Sequence, residues 1–246
     1  MPKKERADKL LVTRGLADTR TKAQALIMAG TVYSEEKRID KAGTMLDEGV
    51  PLRLKGKDHP YVSRGGLKLA HGLENFDISP ADKICLDIGS STGGFVDVLL
   101  RNNAKKVYAV DVGKGQLDWS LREHDQVTVL ESTNARYLTD EQVPDLIALI
   151  TCDASFIGLE KVLPAAMARA AQNAHLIALI KPQFQAGREH VGKGGVVRDP
   201  EIHKAVCADV EKWIEQSMGW RVLGICESPI TGPKGNKEFL IGATSG

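Results

Sequence analysis

Apolar residues are distributed along the chain in two textures. From residue 83 onward, short apolar runs alternate with stretches of helical period. The runs are Ile84–Ile88, Val107–Val110, Val127–Leu130, Leu146–Ile150, Leu176–Ile180, Arg221–Cys226 and Phe239–Ala243. Between them lie Phe95–Arg101, Leu117–Arg122, Leu159–Ala171 and Glu201–Ser217. Short strand-like runs interleaved with helices predict βαβ units, hence an α/β domain with a mostly parallel sheet covered on both faces. The front of the chain is different. Helices are expected over Arg6–Val12, with Leu10 and Leu11 as apolar contacts, and over Arg20–Met28, with Ala23, Leu26 and Ile27 on the buried face and Thr19 or Asp18 as cap. Two short strands, Thr31–Ser34 and Val50–Leu54, follow, so residues 1–60 read as a small α+β module with a marginal core. Gly, Pro and charge in Lys55–Pro60 mark a linker.

Composition changes the picture little. The 246 residues are 42% apolar and 26% charged, which excludes bulk disorder and fibrous structure. No apolar run approaches the ~18 residues of a membrane span, and the mixed-charge N-terminus does not resemble a secretory leader. Cys85, Cys152, Cys207 and Cys226 form no CxxC pair, and the histidines show no ligand spacing, so neither a metal site nor a disulfide framework is expected; a cytoplasmic location is. Charge is more informative. Residues 1–70 hold 15 Lys and Arg against 9 Asp and Glu, whereas residues 71–246 hold 18 against 23. A basic front on a mildly acidic body suits an anionic polymer bound at one end.

Asp87-Ile-Gly-Ser-Ser-Thr-Gly-Gly-Phe95 follows the first strand of the body and opens a helix. Ligands of open α/β sheets bind at such strand ends, where glycine lets them approach the backbone, and Asp111 ends the next strand, placed for a ribose diol. The spacing is not that of a dinucleotide fingerprint. An acidic residue in the first strand would repel a pyrophosphate but suits an ammonium, so the loop resembles the nucleoside-binding loop of class I S-adenosylmethionine-dependent methyltransferases. Asp153 and Lys181 each terminate an apolar run, Glu238 begins the last one, and Lys68 lies just ahead of the sheet. Two lysines and two carboxylates could share one site. A ribose hydroxyl is a poor nucleophile, so a base must take its proton during methyl transfer. Lysine serves only when its pKa falls from ~10.4 towards neutrality, a cost of about 4–5 kcal/mol.

Lys68, Asp153, Lys181 and Glu238 match the Lys-Asp-Lys-Glu tetrad of FtsJ-like RNA ribose 2′-O-methyltransferases. Together with Tyr61-Val-Ser-Arg-Gly-Gly-Leu-Lys-Leu69, Thr151-Cys-Asp-Ala-Ser-Phe156, Ile180-Lys-Pro-Gln-Phe184 and Gly192-Lys-Gly-Gly-Val-Val-Arg-Asp199, they resemble the hemolysin A (TlyA) family. The resemblance implies an S-four-type RNA-binding domain over 1–60, a linker and lead-in helix over 61–82, and a Rossmann-like methyltransferase domain with a seven-stranded sheet over 83–246. It implies S-adenosylmethionine as cofactor, a cytidine 2′-hydroxyl of ribosomal RNA or a ribosomal subunit as substrate, and no membrane partner; a homodimer is compatible with it. The cofactor shell it implies is Asp87, Gly89, Ser90, Thr92, Gly93, Phe95, Asp111 and Asn134. Lys181 would be the base, Asp153 would orient it, and Lys68 and Glu238 would position the ribose, with the division between the lysines left open. Arg6, Lys9, Arg14, Arg20, Lys22 and Arg64 are the expected RNA contacts, and Gln183–Asp199 reads as a mobile basic flap over substrate. Two competing readings remain: a ribosome-assembly factor without turnover, and the membrane-active protein that the hemolysin label suggests. Cys152 raises cytosine carbon-five methylation, but strand alternation points it away from Asp153, so packing is expected.

Overall fold

The computed structural model describes residues 4–28, 30–54 and 59–246 and divides into two compact units, Met1–Pro60 and Tyr61–Gly246. The expected linker stretch 55–58 lies outside the described residues. In the first unit, β1 (Lys4–Arg6), α1 (Ala7–Thr13), α2 (Arg20–Met28), β2 (Val32–Ser34), β3 (Lys37–Arg38), β4 (Met45–Asp47) and β5 (Leu52–Leu54) follow in order. Ala7, Leu11, Ala23, Ile27, Val32 and Ile39 form its core. Thr19 caps α2, its hydroxyl accepting from the Lys22 amide at 3.1 Å. Antiparallel β1–β4 pairing and the β3–β2–β5 sheet complete the unit. Strands β1, β3 and β4 are two or three residues long, too short to print a period on the sequence.

The second unit begins with α3 (Gly65–Asn75), then alternates β6 (Ile84–Ile88), α4 (Gly94–Arg101), β7 (Lys106–Val110), α5 (Trp119–Arg122), β8 (Val127–Leu130) and β9 (Ile147–Cys152). There follow α6 (Leu159–Val162), α7 (Pro164–Met167), β10 (Ala170–Ile180), α8 (Pro182–Gln185), α9 (Pro200–Gln216), β11 (Arg221–Glu227) and β12 (Phe239–Thr244). The sheet order is β11-β12-β10-β9-β6-β7-β8, with only β12 reversed. Alternate residues of the strands feed two cores. Leu86, Ile88, Ile150 and Leu176 pack with α6, α7 and α9, whereas Cys85, Leu149, Ile177 and Leu240 pack with α3 and α4. The first turn of α4 lies so close to the start of α3 that a Cβ on Gly94 would sit 2.9 Å from the Gly66 nitrogen and 2.3 Å from the Ser63 hydroxyl.

Two expectations are corrected here. The helix expected over Leu159–Ala171 is two single turns, because Pro164 has no amide hydrogen to continue the first and opens the second. Ala170 and Ala171 belong to β10, which starts six residues before the expected Leu176. Exposed Gln172 and Asn173, the latter at φ +58°, interrupt its apolar pattern where the register with β9 shifts.

Candidate active site

The carboxyl ends of β6, β7, β9 and β10 converge on the glycine loop. Gly89 turns the chain out of β6 at φ +80°, and a Cβ there would sit 3.0 Å from the Asp153 carbonyl oxygen and 3.1 Å from the Ala154 backbone. Only a hydrogen fits, so the two strand ends approach edge to edge. Beneath the loop, Asp87 is wholly buried. Its Oδ1 accepts from the Thr151 hydroxyl at 2.8 Å, while Oδ2 has no partner among the described residues. Burial pushes its carboxyl up to about 7, opposed by the Thr151 hydrogen bond and reinforced by Asp153 and Asp111.

Asp111, past the end of β7, accepts the Ser91 amide on one oxygen at 2.8 Å and the Gly113 amide on the other at 2.7 Å. It thereby ties the glycine loop to the next loop along the sheet edge. A cavity of about 350 Å³ opens there, within the range of small-ligand sites. Gly89, Asp111 and Asn134 line it with Val110, Val112 and Ile157. Asn134 also caps a turn, accepting from the Arg136 amide at 3.1 Å. A second cavity of about 320 Å³ adjoins the first and is lined by Gly89, Ser90, Thr92, Phe95, Arg64 and the tetrad. Gly93 lines neither cavity; it backs onto Leu117 and Leu121. An apolar-walled cleft over a close-approach glycine fits the adenosine of the implied cofactor, whereas Asp87, like Gly93, lines neither cavity and keeps its half-satisfied carboxylate beneath the loop.

Four segments bring the tetrad together. Lys68 comes from α3, Asp153 and Lys181 follow the ends of β9 and β10, and Glu238 immediately precedes β12. Lys68 Nζ donates to Glu238 Oε2 at 2.7 Å and lies 3.6 Å from Asp153 Oδ2. Lys181 Nζ lies 2.5 Å from Asp153 Oδ1 and donates to the Asp153 carbonyl at 3.1 Å and to the Ser155 hydroxyl at 2.9 Å. Acid and base alternate along this chain: Glu238, Lys68, Asp153, Lys181. Glu238 is 1% exposed and both lysines are 6% exposed, so these three charges are compensated within the chain rather than by water, while Asp153 is partly exposed. Gln183, on α8, reaches Glu238 Oε1 with its amide nitrogen at 3.5 Å.

The remaining expectations separate by geometry. Arg64 stands on the second cavity and donates to the Thr231 carbonyl at 3.3 Å. In the front unit, Arg6 and Arg20 both grip buried Asp8, at 3.0 Å and 2.8 Å, and Gln24 adds a further hydrogen bond. The two guanidiniums remain about half exposed. Arg14 donates to the carbonyls of Glu48 and Val50, while Lys9 and Lys22 are exposed. Cys152 packs in the core on the α6–α9 side, and burial pushes its thiol up to about 12, so it is no thiolate nucleophile. The flap is anchored rather than free: Val196 and Val197 are buried, and Asn236 donates to the Gly195 carbonyl and accepts the Val197 amide. Sequence reasoning passed over Thr151, Ser155 and Gln183, whose partners lie far along the chain or across the sheet edge. It also missed Phe156, a 90% exposed aromatic held at φ +65° beside Phe184.

Comparison with known proteins adds to this geometry. The FtsJ-like methyltransferase family model matches residues 61–245, and the S4 domain model matches residues 5–51. A Bacillus subtilis protein provisionally named rRNA methyltransferase YqxC is 51% identical, covering 97% of this chain and 85% of its own. The 16S/23S rRNA (cytidine-2′-O)-methyltransferase TlyA of Mycobacterium tuberculosis is 43% identical, covering 98% of this chain and 90% of its own. A solved structure from Streptococcus thermophilus, provisionally labelled a hemolysin, superposes with a TM-score of 0.77 at 44% identity, covering 99% of this chain and 89% of that one.

Proposed function

Because the chain belongs to the FtsJ-like methyltransferase family, with an S4 domain ahead of it, we propose that it methylates a ribose 2′-hydroxyl, that of a cytidine in ribosomal RNA, using S-adenosylmethionine. One observation carries the reading: an unbroken acid–base chain ends in an amine, Lys181, on the wall of one cavity, beside a second cavity of nucleoside dimensions. When bound, the cofactor supplies an electrophilic methyl on a sulfonium. Gly89, Asp111 and Asn134 hold its adenosine end, Asp87 places negative charge under its ammonium, and Ser90, Thr92 and Phe95 border the reacting region. Lys181 takes up the hydroxyl proton. Asp153 holds the amine in place by two contacts, and Lys68 with Glu238 fixes Asp153 and borders the ribose. Arg64 offers a guanidinium to an adjacent phosphate, and Phe156 an aromatic face to a base. Lys9, Lys22 and the outward faces of Arg6 and Arg20 supply the salt-dependent hold on RNA.

The test is methyl transfer from labelled cofactor to ribosomal subunits, followed by alkaline hydrolysis. Label in an alkali-resistant dinucleotide is the expected result, and Lys181→Ala abolishes it while cofactor affinity stays within about three-fold. Label in alkali-released nucleotides would move the chemistry to the base, and no label would leave an RNA-binding assembly factor. The hemolysin reading has less support: no helix of the described residues is long and apolar enough to cross a membrane. Release of dye from liposomes by the purified protein would revive it.

A further inference from the structure

Lys181 Nζ meets three oxygens, and they are not chemically equivalent. Two belong to Asp153, the carboxylate at 2.5 Å and the carbonyl at 3.1 Å; the third is the Ser155 hydroxyl at 2.9 Å. An ionised carboxylate and a carbonyl only accept, whereas a serine hydroxyl both accepts and donates. The protonated lysine donates to the Asp153 carbonyl and the Ser155 hydroxyl and pairs ionically with the Asp153 carboxylate. The neutral amine that a base must be has two N–H bonds and one lone pair. Neither Asp153 oxygen can donate to that lone pair, so of the three neighbours only the Ser155 hydroxyl has a proton to give.

That neighbour is also the more accessible of the two. The Lys181 side chain is 7% exposed, whereas Ser155 is exposed and lines both cavities, the cofactor-sized one and the one that contains the tetrad. A hydroxyl at that junction stands where methyl acceptor and methyl donor have to meet.

We propose that Ser155 is a catalytic proton relay between the ribose 2′-hydroxyl and Lys181. This rests on the ribose-methylation reading and adds a residue to it. Ser155 Oγ accepts the 2′-hydroxyl proton as its own proton passes to Lys181 Nζ, so one O–H bond breaks at the ribose, one is exchanged at the serine, and one N–H bond forms. The electron pair released on the ribose oxygen makes the new bond to the methyl carbon, whose former bonding pair stays on sulfur. The products are the methyl ether, S-adenosylhomocysteine and a lysine ammonium that again faces three acceptors. The ammonium is discharged to solvent before the next turnover.

The experiment compares the full chain with Ser155→Ala and Ser155→Thr. Ser155→Ala is expected to lower kcat about 10²-fold, and Ser155→Thr, which keeps a hydroxyl, to restore most of it. Neither substitution should move the melting temperature or change the calorimetric affinity for S-adenosylhomocysteine by more than about two-fold. In mixtures of light and heavy water, the wild-type rate should curve with isotope fraction, as two protons in flight require, and the Ala variant should give a straight line. A Ser155→Ala rate equal to wild type, or a straight line for the wild type, overturns the relay while leaving ribose methylation standing. A wild type that places no alkali-resistant methyl on ribosomal RNA overturns both.

Discussion

Lys68 Nζ and Glu238 Oε2 lie 2.7 Å apart although 170 residues separate them in the chain. Glu238 is 1% exposed and Lys68 6%, so each is the other's principal compensation. Removing the lysine strands a buried carboxylate, and Lys68→Met is expected to cost about 3–5 kcal/mol. Adding Glu238→Leu should recover much of that stability without recovering turnover. Denaturant unfolding of both singles and the double tests this; additive losses would show that the pair is not coupled.

Asp87 gives the protein a pH signature. Its folded-state carboxyl sits near 7, against 3.8 when exposed, because burial disfavours the charge. Between those values the folded chain binds more protons than the unfolded one, so this group's contribution falls as pH rises through the window. Asp87→Asn removes the effect. The variant should therefore gain stability relative to wild type as pH rises from about 4 to about 8, by up to roughly 4 kcal/mol. S-adenosylhomocysteine binding should show the converse: wild-type affinity strengthens as Asp87 ionises, and the Asn variant does not follow. Parallel stability curves for the two proteins would remove Asp87 from the account.

Gly94 sets how closely α4 meets α3. A Cβ there would lie 2.9 Å from the Gly66 nitrogen, and a backbone atom has less room to yield than a side-chain tip. Gly94→Ala is expected to cost about 1–3 kcal/mol and to push α3, with Lys68 on it, off the sheet edge. Turnover should then fall more than thermal stability at assay temperature explains. Unchanged turnover would mean that α3 tolerates the shift.

In the front unit, Asp8 takes four hydrogen bonds from Arg6, Arg20 and Gln24. Pairing with Arg6 is the largest reason its carboxyl titrates well below the usual carboxylate range. A depressed carboxyl stabilises above its unfolded pKa and loses that contribution as pH falls below about 4. Asp8→Asn should lower the melting temperature at neutral pH, and the deficit should shrink in acid, where the wild type loses the same pairs. RNA affinity should fall as well, because the two guanidiniums lose their common anchor. A deficit that persists unchanged in acid would argue for a packing effect instead.

The legible and illegible parts of the sequence differ by one physical property, the range over which a signal is written. Strands β6 and β8 and helix α2 were readable to the residue, because apolar runs and periodicity are local. Residues 170–175 of β10 were lost because a bulge carrying exposed Gln172 and Asn173 breaks the pattern. Asp153, Lys181 and Glu238 were legible as residue types at strand ends and Lys68 as a lysine just ahead of the sheet, and the resemblance to a family supplied the grouping. The donor from Thr151 to Asp87, the Ser155 contact with Lys181 and the Gln183 contact with Glu238 join residues 26 to 64 positions apart. Such partners follow from strand order, which no local pattern encodes.

Strand β12 runs against its neighbours and is wedged between β10 and β11. Glu238 stands at its threshold, so the fourth member of the acid–base chain is in place only when the last strand in sequence occupies the slot between two earlier ones. The cleft over the glycine loop is lined from β6, β7, the turn after β8, the end of β9 and α6, all earlier segments of the chain. A ribosome-tethered chain released one strand short would therefore hold nucleoside and yet be chemically silent, and mild denaturation that frays this side of the sheet should extinguish methylation while ligand affinity persists.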